Sequence, residues 1–397
     1  MAAISVLPEA VWKDAETAYA EHGLKAARRA INTAGYVASD DAICSHMRRR
    51  HIRPGIAPLP KAEIDVVSEN EEELRRALAH TQRQLAIAKQ RTDELVSATI
   101  TACKEATLAI GPVPPVQAPQ KDLRKKHEEV ALWHMTDWQG SKKTASYNTE
   151  VMRERVMRFC DKAVSITNIQ RADHPVRTCV VAFGGDMVEG LFNYPAQSWE
   201  IDSTLFEQYV NVSRLIGDVV RSALAAYEKV VVVSEWGNHG RIGSKRAEVP
   251  RSDNVDRMCY ELARQLLTDE KRLEWKDCPN DIQEIEIGEY KALLIHGDEV
   301  GRNGFASPST IVQHCNRWRS GAYPWPFRDV YIGHYHSHAE WSLANGEGSV
   351  YQTGSTESDN RYAGVTLAAT SLPSQRLHFI DPVKGRVTAA YKVWLED

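Results

Sequence analysis

A chain of 397 residues is too long for one small core and implies two or three folding units. Hydrophobic content of 43% with 26% charged residues describes a globular protein, and a net charge of −4 excludes a global pull toward nucleic acid, so any such affinity must be local. The seven cysteines are odd in number and follow no C-x-x-C spacing, and neither an apolar leader nor a membrane-length apolar run is visible. Free, mostly buried thiols in a reducing cytoplasm are therefore expected, without membrane association.

The first 58 residues are expected to form a small helical domain. Small side chains (Ala15, Ala18, Ala26, Ala27, Ala30) punctuate a helix that His22-Gly23-Leu24 should break, and a second helix should run from Lys25 toward Ala34. Ser39-Asp40 is an N-cap signature for a third, ending near Arg50. That last helix is basic: His46, Arg48, Arg49 and Arg50, with Arg53 following. Three helices of which the last is basic resemble a helix-turn-helix DNA reader, with Arg48, Arg49, Arg50 and Arg53 as DNA contacts. The residues between the second and third helices match the tight turn poorly, and a docking bundle with a solvated basic face is the alternative.

Residues 59–111 should form one long helix. Ser68-Glu69-Asn70-Glu71 offers a capping box, and Leu74, Leu78, Thr81, Leu85, Ala88, Thr92, Leu95, Thr99, Ala102 and Ala106 repeat at alternating spacings of four and three. That heptad seam points to a coiled coil, and hence to a homodimer through residues 68–110. Such a helix would span roughly 60 Å at a rise of about 1.5 Å per residue; folding back on the remainder of the chain is the alternative. Residues 112–122, with Pro112, Pro114, Pro115 and Pro119, read as a stiff linker.

Beyond residue 122 the texture becomes α/β, and residues 123–397 are expected to form one domain. Apolar runs at 130–135, 179–183, 230–234, 282–287, 292–295 and 330–332 read as strands, and 148–166, 205–227 and 255–267 as helices. Asn345-Gly346 signals a hairpin, and further strands near 377–379 and 387–393 would cover or extend a sheet.

Five of these strands end in metal-type residues. The junctions read Asp137-Trp138-Gln139, Gly185-Asp186-Met187-Val188-Glu189, Gly237-Asn238-His239, His296-Gly297-Asp298 and Gly333-His334-Tyr335-His336. Carboxylates, amides and imidazoles at the carboxyl edge of a sheet form a donor set for Mn, Fe, Zn or Mg. The absence of thiols argues against a structural zinc site.

This order of motifs resembles the calcineurin-like metallophosphoesterase superfamily over the last two-thirds of the chain. The resemblance implies a four-layer αββα sandwich holding two divalent metals ~3.5–4 Å apart. By position, Asp137, Gln139, Asp186 and His336 would hold the first metal, and Asp186, Asn238, His296 and His334 the second, with Asp186 bridging. His239 would be the histidine beside the leaving group. Gln139 stands where the family usually has His, and its weaker neutral oxygen favours Mn²⁺ over Fe, Zn or Mg at that site. Gly240 stands where many relatives carry an acid that orients the histidine, so Glu189 is expected to serve as the partner of His239.

Arg241, Lys245, Arg246 and Arg251 follow the catalytic turn and would either cradle a phosphate backbone or form a solvated face. Trp138, Trp236 and Tyr335 adjoin ligand positions and would either pack in the core or stack on a base. His134 and His338 read as supporting residues and not as ligands. The resemblance extends to SbcD-type and phage-borne nuclease-like members, which implies a DNA nuclease, with an ATPase partner and a phage origin as corollaries. A nucleotide phosphodiesterase, pyrophosphatase or phosphatase, and an inactive DNA-binding regulator, are the alternatives.

Overall fold

The computed structural model describes residues 7–50, 52, 101, 112–191, 197–242, 253–276, 282–300, 306–359 and 372–396. Contacts divide the chain into two compact units, Met1–Asp93 and Glu94–Asp397.

In the first unit, α1 (Glu9–His22), α2 (Leu24–Thr33) and α3 (Asp40–Arg49) pack on one core. Gly23 separates the first two helices at φ 76°, in the left-handed region. Ser39 caps α3, its hydroxyl accepting the Ala42 N–H at 3.2 Å. Ala15 and Ala27 admit close helix approach around Ile31, Ile43 and Met47. The basic helix is divided in its use. His46 stacks on Trp12 with ring centroids 3.8 Å apart and lies 2.7 Å from Glu16, so it belongs to the packing. Arg50 approaches Glu16 at 3.6 Å and Glu9 at 3.8 Å. Arg48 and Arg49 are exposed. Residues 34–39 join α2 to α3, a longer connection than the three or four residues of a helix-turn-helix. Arg53 and every position of the heptad seam lie outside the described residues.

The second unit is a sandwich of two mixed sheets between helical layers. One sheet has the order β11-β10-β1-β2-β3-β4: β1 (Val130–Met135), β2 (Thr178–Gly184), β3 (Lys229–Glu235), β4 (Leu273–Lys276), β10 (Ser374–Asp381) and β11 (Arg386–Trp394). Strands β1 to β4 are parallel, while β10 is antiparallel to β1 and to β11. The other sheet has the order β5-β6-β7-β9-β8, from β5 (Gln283–Ile287), β6 (Tyr290–Ile295), β7 (Asp329–Ile332), β8 (Ala339–Ser342) and β9 (Ser349–Gln352).

The period-2 alternation of strands explains why β1, β2 and β3 read as unbroken apolar runs. Val130, Leu132, Val180, Ala182, Val231 and Val233 pack against Ile285, Ala292 and Leu294 of the second sheet. Their neighbours Ala131, Trp133, Val181, Phe183, Val230 and Val232 face the helices α4 (Thr149–Gln170), α5 (Leu205–Ala226) and α6 (Val255–Leu266). Helix α7 (Pro308–Arg317) covers the outer face of the second sheet through Ile311 and Cys315. The expected αββα layering is therefore present.

Three features differ from the sequence expectation. Strand β4 alternates apolar Leu273 and Trp275 with Glu274 and Lys276 at a half-exposed edge, which hid it. The expected hairpin forms between β8 and β9, but its connection is a six-residue loop containing a 3₁₀ turn at Ala344–Gly346. The proline-rich segment is no free spacer: Val113 N–H donates to Leu266 O at 2.8 Å, Asp122 N–H donates to Glu228 at 2.7 Å, and Val113 and Val116 pack on the helical core. Cys160, Cys179, Cys259 and Cys315 are buried free thiols, and Cys44 is half-buried. Among the described residues no helix is long and apolar enough to cross a membrane.

Candidate metal centre

The carboxyl ends of β1, β2 and β3 in one sheet and of β6 and β7 in the other converge, and the five polar junctions meet there. Parallel pairing aligns these ends; β2 and β3, for example, run in register from Thr178↔Lys229 to Gly184↔Glu235. The chain turns sharply at the ends. Asp137, Gln139, Asp186, His334 and His336 all adopt positive φ, between 49° and 66°, although none is glycine. Left-handed backbone at such residues costs on the order of 1–3 kcal/mol each and gathers at functional sites, where surrounding contacts enforce it.

Asp186, His296 and His334 place one ligand atom each within 4.8 Å of one another. His296 Nε2 is 3.1 Å from Asp186 Oδ2 and 3.2 Å from His334 Nδ1. The same Asp186 oxygen lies 3.2 Å from Gln139 Nε2, which is 3.3 Å from His336 Nε2, itself 3.3 Å from Asp137 Oδ1. Asp186 thus touches residues of both groups. Second nitrogens and oxygens are oriented by backbone: His296 Nδ1 is 2.8 Å from Gly184 O, and the His334 N–H donates to Asp137 at 2.9 Å.

These residues fit a divalent-cation site. Gln139 Oε1 and Asn238 Oδ1 are buried without any hydrogen-bond partner, a state that costs about 1–3 kcal/mol per group. A hard cation would satisfy such an oxygen; at Gln139, whose nitrogen faces Asp186 and His336, a half-turn of the amide would bring the oxygen toward them. The proton balance agrees with a cation site. Burial opposes charge on His296 and His336, but Asp186 in the first case, and Asp137 and Glu357 in the second, outweigh it: His296 is held well above the usual histidine range and His336 is raised to about 10. Burial likewise opposes ionisation of Asp186, and the neighbouring His296 and His239 overcome it and hold the carboxyl well below its ordinary range. Cations compete with these protons for the same donors.

Beside this cluster stands His239. Its N–H donates to Asp186 Oδ1 at 2.7 Å, while its Nδ1 is 3.0 Å from the Glu189 carbonyl and 3.3 Å from Glu189 Oε2. Glu189 is 1% exposed, and Lys142, itself buried, lies 3.2 Å from its other oxygen. Gln197 donates to Glu189 Oε1 at 3.3 Å. Burial disfavours an imidazolium at His239, but Asp186 and Glu189 raise its pKa to about 9.

The residues that hold the loops together carry no motif. Asp256, at the start of α6, accepts the N–H groups of Asp186 (2.8 Å), Gly237 (2.9 Å), Met187 (3.1 Å) and Val188 (3.1 Å), joining the second junction to the third. Burial, with the nearby Asp186 charge, raises its carboxyl to about 6. Asn254 caps α6 and donates to Gly237 O at 2.8 Å. Gln375 on β10 accepts the Thr136 N–H at 2.8 Å and donates to Thr136 O at 3.0 Å, clamping the entry to the first junction. Only the Asn254-x-Asp256 spacing before an apolar helix hinted at any of this. Gly240, where an acid was expected, is required by Asn254 and Asp256: a Cβ there would overlap Asn254 Oδ1.

Other expected site residues are placed differently. Arg241 is engaged by Asp298. Lys245, Arg246 and Arg251 lie outside the described residues. Trp138 and Trp236 are buried, and Tyr335 packs on the core of the second sheet, so all three serve packing. His134 is fully buried, 2.7 Å from Thr353 Oγ1, and burial pushes its pKa well down. His338 is half-buried and lowered to about 3, chiefly by burial.

No protein-family model matches the chain, and no curated protein does. Among solved structures, the chain is similar to Vps29 of Entamoeba histolytica complexed with zinc, at 14% identity and a TM-score of 0.30, covering 67% of this chain and 99% of that one. It is similar to a predicted phosphoesterase of Streptococcus pneumoniae at 12% identity and a TM-score of 0.26, covering 67% and 98%. It is also similar to a purple acid phosphatase of yellow lupin at 9% identity and a TM-score of 0.31, covering 72% and 55%.

Proposed function

We propose that this chain, a calcineurin-like metallophosphoesterase by its layering and by the order of its five ligand-bearing junctions, is a Mn²⁺-dependent phosphodiesterase that hydrolyses DNA. The observation that carries the chemistry is the convergence of Asp186, His296 and His334, with one ligand atom of each within 4.8 Å of the others, beside the buried, partnerless amide oxygens Gln139 Oε1 and Asn238 Oδ1. Asp137, Gln139, Asp186 and His336 would hold one cation, and Asp186, Asn238, His296 and His334 the other. Bound there, two divalent cations would activate a water for attack and stabilise charge on the phosphoryl oxygens.

The chain's own residues supply the remainder. His239 donates Nδ1–H to Glu189 and presents Nε2, 4.0 Å from Asp186 Oδ2, toward the reacting phosphate. As the P–O bond to the leaving group breaks, the Nε2 proton passes to the departing oxygen, and the Glu189 carboxylate keeps the ring oriented for the transfer. The buried Asp137, Gln139, Asp186, Asn238 and His296 would limit access of bulk water and strengthen these interactions.

DNA as the substrate is supported by the exposed Arg48 and Arg49 on α3, and by Trp199. Trp199 is 86% exposed and lies two residues beyond Gln197, which is 3.4 Å from His239. An exposed indole two residues from a neighbour of His239 offers a stacking surface for a base. A cytoplasmic, phage-borne nuclease, dimerised through residues 68–110 and working with an ATPase, completes this reading. A second reading, a phosphodiesterase or pyrophosphatase for small nucleotides, is favoured by the commitment of Arg241 to Asp298, which occupies a cation beside the catalytic turn.

The test is hydrolysis of end-labelled DNA and a nucleotide panel, with Mn²⁺ and with chelator. DNA cleavage that needs Mn²⁺ and disappears in Asp186→Ala is expected. Hydrolysis of nucleotides with DNA left intact would establish the second reading instead.

A further inference from the structure

The segment that follows β9 contains an acid that belongs to none of the five junctions. Glu357 is 2% exposed in its side chain, and its Oε2 lies 3.0 Å from His336 Nδ1. The other nitrogen of that ring, Nε2, is 3.3 Å from Asp137 Oδ1 and 3.3 Å from Gln139 Nε2. A carboxylate at Nδ1 fixes the ring proton there and leaves the Nε2 lone pair for the donor group formed by Asp137 and Gln139.

The position of Glu357 is built into the fold by the same segment that holds the first junction. Ser355 Oγ donates to Asp137 O at 2.6 Å and accepts the Glu357 N–H at 2.9 Å. Thr356 Oγ1 donates to Trp138 O at 3.2 Å, and the buried Arg155 donates to Thr356 O at 2.8 Å. Thr353 N–H donates to Ile332 O at 2.9 Å, at the end of the strand that delivers His336. One strap therefore sets the register between the Asp137-x-Gln139 junction and the His336 ring.

The need for such a device lies in Gln139. A neutral amide oxygen is a poorer donor than imidazole, so this group of ligands is weaker than it would be with histidine at residue 139. We propose that Glu357 is a positioning residue that fixes the tautomer of His336 and strengthens it as a ligand, offsetting the amide at Gln139 and securing a cation in the first group. This rests on the metal-centre reading given above.

The experiment measures Mn²⁺ binding by calorimetry to the full chain, to Glu357→Gln and to Gln139→His/Glu357→Gln. Two sites are expected in the unaltered chain. Glu357→Gln should weaken one of them by about 10–100-fold and leave the other within about twofold. Adding Gln139→His should restore most of the lost affinity, an outcome that a role in folding alone would not produce. Glu357→Asp, which keeps the charge, should lose less than Glu357→Gln. Equal loss at both sites, no loss at either, or no rescue by histidine would overturn the proposal. An unaltered chain that binds no divalent cation would overturn the metal-centre reading itself.

Discussion

Glu189 Oε2 stands 3.3 Å from His239 Nδ1, and the buried Lys142 stands 3.2 Å from the other oxygen of the same carboxylate. Lysine, glutamate and histidine form a line that ends at Asp186, with His239 Nε2 4.0 Å from that carboxylate. The acid that faces His239 comes from the second junction and not from the residue after the histidine, which is Gly240.

His239→Asn should therefore lower kcat by ~10²–10⁴-fold while leaving Mn²⁺ affinity within a few-fold, because His239 carries a proton and not a cation. The loss should be larger for a diester with a poor leaving group than for an activated aryl diester. Glu189→Gln should move kcat in the same direction by a smaller factor. Rate measurements on the two diesters check both; equal losses on both substrates would remove His239 as the proton donor.

The gain of a carboxylate pair raises His239 to about 9 in the folded chain, against about 6.5 for an unperturbed histidine. The folded state then binds the proton more tightly, so this contribution to stability is fully present below pH ~6.5 and is lost as pH rises toward 9. In chelator, the melting temperature should fall across that window, and His239→Asn should flatten the fall. Thermal melts from pH 6 to 9.5 measure it, and an unchanged slope in the variant would contradict the assignment.

Asp256 accepts four backbone N–H groups from two different junctions. Asp256→Ala leaves these donors without their acceptor and should destabilise the second unit by about 2–4 kcal/mol. Mn²⁺ affinity should fall together with the denaturation midpoint, since Asp186 and Asn238 lie on the loops it joins. A loss of activity with full stability and full metal affinity would show that Asp256 acts in some other way.

Installing the acid of the relatives should fail. A side chain at Gly240 meets Asn254 Oδ1 and the Asp256 carboxyl, so Gly240→Glu overpacks the turn and adds like charge. A cost of about 1–3 kcal/mol and a lower kcat are expected. An increase in kcat at unchanged stability, measured by chemical denaturation and steady-state kinetics, would contradict this role of the glycine.

The two exposed arginines of α3 supply the test of delivery. Arg48→Ala/Arg49→Ala should weaken DNA binding uniformly across sequences and reduce the salt slope by about 1 for each phosphate no longer neutralised, with hydrolysis of small diesters retained. Binding titrations at low and at physiological salt read the slope; an unchanged slope would exclude these side chains as phosphate ligands.

The strands that carry the site were legible because burial on both faces leaves an unbroken apolar signature, as in Val230–Val233. The ligands were legible because each follows such a strand directly. Asp256, Gln375 and Glu357 were not, since each acts through partners in other elements, 239 residues away in the case of Gln375 and Thr136, which no local pattern reveals. Strand β4 escaped because half its residues are charged at an edge. The basic helix α3 was legible as a helix, but its composition could not reveal that His46 turns inward to Trp12 and Glu16. Likewise the sequence around Arg241 suggests a phosphate ligand, whereas Asp298, 57 residues away, engages it.

The most direct test of the central claim is hydrolysis of an aryl phosphodiester by chain that has been stripped with chelator and reloaded with Mn²⁺, with bound metal counted alongside. A dinuclear centre predicts no turnover after stripping, recovery in step with the filling of two sites per chain, and neither binding nor recovery in Asp186→Asn. Turnover that survives stripping, or two bound cations with no turnover of any phosphodiester, would contradict it.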